Sequence, residues 1–225
     1  MRMKYVFLFL SIIFCQGCNG TNKESEKTCK QFGERANKLY FEYSFFKDTT
    51  FTRLDSALCL IDSVIGNCDK YYVGLTSTKL KILSLKKDYS EAINCINTLD
   101  KNKIYPLNKP ILLKRFYAMQ SLNKGDTISH DKYIKSIIVE LKDTLLNHSQ
   151  EIDSILKLPD LLDITKNRHI FSIIQYYYYR SQIEGETKIS CELDSTQQTI
   201  QGNKEFFDVV LKKILKDDFM SFNGI

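Results

Sequence analysis

The chain has no tryptophan, and its 225 residues include only nine glycines and three prolines. So few helix breakers argue against a turn-rich β architecture and favour long helices. The common catalytic signatures are absent as well. There is no HExxH, GxSxG, P-loop or GxGxxG, and no CxxC beyond residue 18. Metalloprotease, serine-hydrolase, nucleotide-binding and zinc-ribbon chemistry therefore lack their residues at the required spacing. The three histidines, His130, His148 and His169, are isolated in sequence. His130 with Asp131, and His169 with Asp160 or Asp163, are pairings that folding could make, but the plain reading is solvated side chains near helix ends. Cys191 has no local support as a nucleophile. No catalytic residue, metal ligand or cofactor is expected. Charge of one sign is also scarce. The formal total is +5, and losing Arg2 and Lys4 with a cleaved leader lowers it to +3. That balance is too weak and too mixed for a nucleic-acid partner.

What is present begins at the N-terminus. Arg2 and Lys4 precede an apolar run from Tyr5 to Phe14, which small and polar residues follow. The run has the length of a signal-peptide core and is shorter than the roughly 20 apolar residues of a bilayer span. Cys15-Gln16-Gly17-Cys18 closes it. This tetrad resembles a bacterial lipobox, with Gly17 as the small residue before the cysteine. Cys15 and Gln16 depart from the usual Leu-Ala/Ser pair. The resemblance implies cleavage after residue 17 and lipid on Cys18. Residues 1–17 are then a signal peptide, 18–28 a polar tether, and 29–225 a helical domain in a protein lipid-anchored at the cell envelope. More than one acyl chain gives stable anchoring, where a single chain is marginal.

Five cysteines remain after Cys15 and Cys18: Cys29, Cys59, Cys68, Cys95 and Cys191. The odd count leaves at least one outside any intrachain bridge. Cys59 and Cys95 fall within helical patterns, where a buried thiol acts as a small apolar side chain. Bridges Cys29–Cys68 and Cys59–Cys68 both stay open.

Helical periodicity runs along most of the mature chain. Ala36, Leu39, Tyr40, Tyr43 and Phe46 form one stripe, and Leu54, Ala57, Leu58, Ile61, Val64 and Ile65 a second. A third helix over 71–86 points Leu80 and Leu83 inward. A fourth carries Tyr89, Ala92, Ile93, Ile96 and Leu99. Further helices are expected over 110–122, 130–147, 166–184 and 203–219, with a short segment at 150–157 and a polar loop at 186–202. The second and fourth helices match at an offset of 35 residues, Leu54-Asp55-Ser56-Ala57-Leu58 against Tyr89-Ser90-Glu91-Ala92-Ile93. A recurrence of that length signals stacked supersecondary units.

Lys87-Asp88-Tyr89-Ser90-Glu91-Ala92-Ile93 resembles the turn and second-helix start of a tetratricopeptide repeat. Ala92 occupies the small position where two helices cross, and Ile96 and Leu99 the later apolar ones. Pro106 stands just past the unit. The first helix lacks the aromatic, the Leu-Gly pair and the tyrosine of a strong repeat. The resemblance implies an all-α fold of antiparallel helix pairs, stacked as a short tetratricopeptide-like solenoid with a C-terminal capping helix.

Tyr176-Tyr177-Tyr178-Tyr179 is the most unusual string. Four consecutive helical positions point around most of the circumference, so the core cannot hold them all. Tyrosine suits interfaces because it offers a large amphipathic surface at low entropic cost. These four are the candidate partner-binding residues. Together with the lipid at Cys18 they suggest an envelope module that binds an as yet unidentified protein or peptide. An immunity-type lipoprotein that neutralises a toxin fits the same features, and an enzyme with an unfamiliar site is the third reading.

Overall fold

The computed structural model describes residues 22–46, 50–68, 72–99, 108–165, 167 and 169–216. The signal segment, Cys18 and Pro106 lie outside them. Every regular element among the described residues is helical, and none is a strand. No helix among them is long and apolar enough to cross a membrane. The chain divides into two compact units, Met1–Ile82 and Leu83–Ile225.

In the first unit, α1 (Asn22–Phe46) packs along α2 (Thr52–Ile65), and α3 (Tyr72–Leu85) begins. Ala36 meets Leu54, Ala57, Ile61, Val64, Leu75 and Ile82 in one apolar cluster. A disulfide joins Cys29 to Cys68 with their Cα atoms 6.5 Å apart, tying α1 to the end of α2. Of the two bridges left open by the sequence, this is the one that forms. Cys59 is exposed rather than buried in the stripe. Lys79 donates to Asp62 at 2.8 Å, and Thr78 to Asn37 Oδ1 at 3.0 Å. α1 starts at Asn22, so the predicted tether of 18–28 is helical from residue 22 onward. Phe46, placed by spacing on the apolar stripe, is 65% exposed at the last residue of α1.

The second unit holds the end of α3 and then α4 (Tyr89–Thr98), α5 (Lys109–Asn123), α6 (Thr127–Asn147), α7 (Ser149–Leu156), α8 (Leu161–Thr165), α9 (Ile170–Glu184) and α10 (Glu186–Ile200). A π-helical turn at Phe206–Leu211 leads into α11 (Lys212–Lys216). α4 packs on α5, α5 on α6, α6 on α9 across the intervening α7 and α8, and α9 on α10. Tyr89, Ala92, Ile93 and Ile96 are the buried face of α4, as the pattern predicts.

The turns explain this regularity. The Asp88 N–H donates to Leu83 O and the Lys87 N–H to Ser84 O, with Lys87 in the left-handed region at φ 57°. This is a Schellman close. Asp88 then accepts from the Glu91 N–H at 3.2 Å and caps α4. The same device recurs at Gly125-Asp126: Gly125 takes φ 78°, and the Asp126 carboxylate caps α6 through the Ser129 N–H at 2.9 Å. One aspartate thus ends one helix and begins the next. Lys109 reaches back to carbonyls of Asn97 and Leu99 at the end of α4, at 2.8 and 3.1 Å.

Residues 186–200, expected as a polar loop, form α10. Its apolar stripe is thin, with only Ile189 and Leu193 fully buried, and periodicity over so few residues is easily missed. The helix expected over 203–219 runs over the described residues 204–216 and takes π geometry at Phe206–Leu211, where Phe206 and Phe207 are buried in the core. The expected helix over 166–184 begins at Ile170, after the separate short α8.

Candidate functional site

The tyrosine string divides by position around α9. Tyr179 points into the core beside Ile111, Ala118, Ile134 and Ile137 and is 2% exposed. Burial pushes its phenol above the ordinary value, and Arg115 partly offsets this. Tyr178 is half-buried, packed against two apolar clusters of the second unit. Tyr176 and Tyr177 line a cleft while each also rests on one of these clusters. Their rings meet edge to face, with centroids 5.3 Å apart. Two of the four candidate residues therefore line a cleft, and all four contribute to packing.

The cleft has a volume of about 240 Å³. Leu145 and Leu146 of α6 form one wall and Ile152 and Leu156 of α7 another. Phe207 of the π turn also contributes, while Lys142, Asp153 and Thr196 supply the polar groups. Leu146 is 61% exposed, a large apolar side chain open to solvent at the cleft wall. Small-molecule and cofactor sites usually enclose roughly 300–1,000 Å³. A smaller, mostly apolar cleft suits one or two bulky side chains of a peptide better than a cofactor.

The cleft wall is braced by charge. Arg180 donates to Glu184 through Nε at 2.6 Å and Nη2 at 3.0 Å, and to Glu192 through Nη1 at 2.6 Å and Nη2 at 2.8 Å. Bidentate pairs of this kind fix geometry as well as adding energy. They clamp α9 to α10, and the guanidinium stands 5.3 Å from the centroid of the Tyr176 ring. Both edges of Arg180 are used, so it is not a receptor for an incoming anion. Its hydrogen bonds, with that of Lys188, hold the Glu184 carboxyl down at about 2. Burial raises the Tyr177 phenol, the negative charge of Glu192 raises it further, and a hydrogen bond with Thr196 lowers it.

Asn203 ties the end of α7 to the start of the last helical segment. Its N–H donates to Leu156 O at 2.6 Å, and its side-chain amide donates to the carbonyls of Leu158 and Pro159 at 2.9 and 3.0 Å. Its Oδ1 accepts from the Phe206 N–H at 3.0 Å. Next to it, Gly202 is buried, and a Cβ there would lie 2.8 Å from Phe207 Cε2.

The histidines correct the expectation of isolation. His130 Nδ1 lies 3.0 Å from Asp131 Oδ1, as adjacency suggested. His148 and His169, 21 positions apart, stack with ring centroids 4.2 Å apart. Glu151 Oε2 faces both, 3.9 Å from His148 Nδ1 and 3.3 Å from His169 Nε2. Glu151 is thus a partner of His169 in space. His148 with Glu151 is an i, i+3 pair that was readable beforehand, whereas the approach of His169 was not.

A second exposed apolar feature lies in the first unit. Phe41, Phe45 and Phe46 near the end of α1 are 67%, 81% and 65% exposed. Arg53 stands 5.9 Å from the Phe46 ring. Compared with protein-family models, curated proteins and solved structures, the chain matches none of them.

Proposed function

We propose that this protein is a lipid-anchored, extracytoplasmic helical-repeat module that holds a protein or peptide segment by its apolar side chains. The observation that carries this reading is the cleft lined by Tyr176, Tyr177 and Leu146: apolar, open, and too small for most cofactors. The Cys29–Cys68 disulfide supports export, because such bridges persist in oxidising compartments. The sequential packing of α4, α5 and α6 supports a tetratricopeptide-like stack, in which the π turn and α11 act as the cap.

Two experiments test this. Palmitate labelling is expected on the native chain and lost in Cys18→Ser; labelling that persists refutes the anchor. For the cleft, peptides are selected from a random library on the full chain in detergent. Binders should carry a bulky apolar anchor residue. Leu146→Asp or Tyr176→Ala should weaken them about fivefold or more, the loss of a residue that carries binding energy. Binders indifferent to both changes refute the cleft as the site.

A further inference from the structure

We propose that His148, Glu151 and His169 form a zinc-class metal site. The three side chains come from two places in the chain. His148 closes α6 and opens α7, Glu151 lies one turn into α7, and His169 precedes α9. The two histidines each offer one ring nitrogen and the glutamate one oxygen, all within 4.8 Å of one another.

The spacing is near that of a coordination shell. Zinc binds imidazole nitrogen and carboxylate oxygen at about 2.0–2.2 Å, so two donors at a tetrahedral angle lie roughly 3.3–3.5 Å apart. His169 Nε2 and Glu151 Oε2 are already 3.3 Å apart, and His148 Nδ1 is 3.9 Å from the same oxygen. Small side-chain rotations close the rest. His169 is 7% exposed, so its ring is held in place by the surrounding protein before any ion arrives. Glu151 and His148 remain accessible and leave a path for the ion.

The donor set selects the metal. Two imidazoles and one carboxylate suit zinc and the neighbouring late first-row ions, not calcium or magnesium, which take oxygen ligands. Three protein ligands leave a fourth position for water. The bound ion would join the α6–α7 junction to the start of α9, the helix that carries Tyr176 and Tyr177. This site is independent of the peptide-binding reading and can stand if that reading fails.

The test is zinc titration of the purified full chain in detergent against a chromogenic zinc indicator, with cobalt(II) absorption as a second readout. One equivalent should bind, with a visible cobalt spectrum of tetrahedral intensity. Removing even an outer partner of a metal ligand typically costs about 10–100-fold in affinity, so His148→Ala and Glu151→Gln should each cost about a hundredfold or more. The Glu151 side chain is 42% exposed against 8% for His169, so Glu151→Gln is expected to disturb the fold less than His169→Ala. His130→Ala, and a variant with Cys59, Cys95 and Cys191 replaced by serine, should bind zinc as the native chain does. Failure to bind one equivalent, binding that survives Glu151→Gln and His148→Ala, or binding lost with the cysteines overturns the proposal.

Discussion

Removing the Cys29–Cys68 bridge should loosen the first unit selectively and by a calculable amount. The two cysteines are 39 positions apart. In the chain-entropy model, closing a loop of that length removes about 13 cal/mol/K from the unfolded ensemble, or about 4 kcal/mol at 25 °C. Cys29 is buried, so alanine is the proper replacement, because serine would leave a buried hydroxyl. The helices it ties, α1 and α2, also share one apolar cluster. The assay is hydrogen exchange of peptides from 29–46 and 52–65 in Cys29→Ala/Cys68→Ala. Local opening free energy sets the exchange rate, and each 1.4 kcal/mol is a factor of ten. Exchange should therefore rise by up to about a thousandfold. Cys59→Ala, which changes an exposed thiol, should leave it unchanged. A rise of less than about tenfold in the double variant, or a peptide map pairing Cys68 with Cys59, would falsify the reasoning.

Two further outcomes follow from the second unit. The Glu184 carboxyl is held at about 2, below its ordinary 4.5, so its stabilising contribution is complete above pH 5 and lost as pH falls through 4.5 toward 2. That loss should be about 1 kcal/mol after allowance for solvent screening, seen in urea midpoints between pH 6 and pH 3 and flattened in Arg180→Met; an unchanged slope in the variant counts against the clamp. Gly202→Ala forces a methyl into Phe207 and should cost about 1–3 kcal/mol, read as a lowered melting temperature, and an unaltered one would show that the π turn yields freely.

The helices were legible where apolar residues repeat strongly. Leu54, Ala57, Ile61 and Val64, and likewise Tyr89, Ala92, Ile93 and Ile96, are buried as their spacing predicts. α10 was not legible, because a helix that rests on Ile189 and Leu193 looks polar in one dimension. The π turn was equally hidden, since Phe206 and Phe207 are adjacent and satisfy a regular helix in sequence. The tyrosine string pointed to α9, but how its members divide between cleft lining and core is set by the packing of α6 and α10 on either side of it. The histidine–glutamate cluster needed tertiary structure, because nothing local draws residue 169 to residue 148.

The early start of α1 changes the mechanics of the proposed anchor. From Cys18 to Asn22 the chain can span no more than about 14 Å even fully extended. The helix that follows, 25 residues long, extends about 37 Å. The reach from the lipid is then set largely by a stiff rod rather than by a polar coil. A coil spreads what it carries through a wide volume and dilutes it, whereas a short leash and a rod confine it. The exposed Phe45 and Phe46, at the far end of that rod, would meet a membrane-bound partner at a high effective concentration, so that even weak contacts there count.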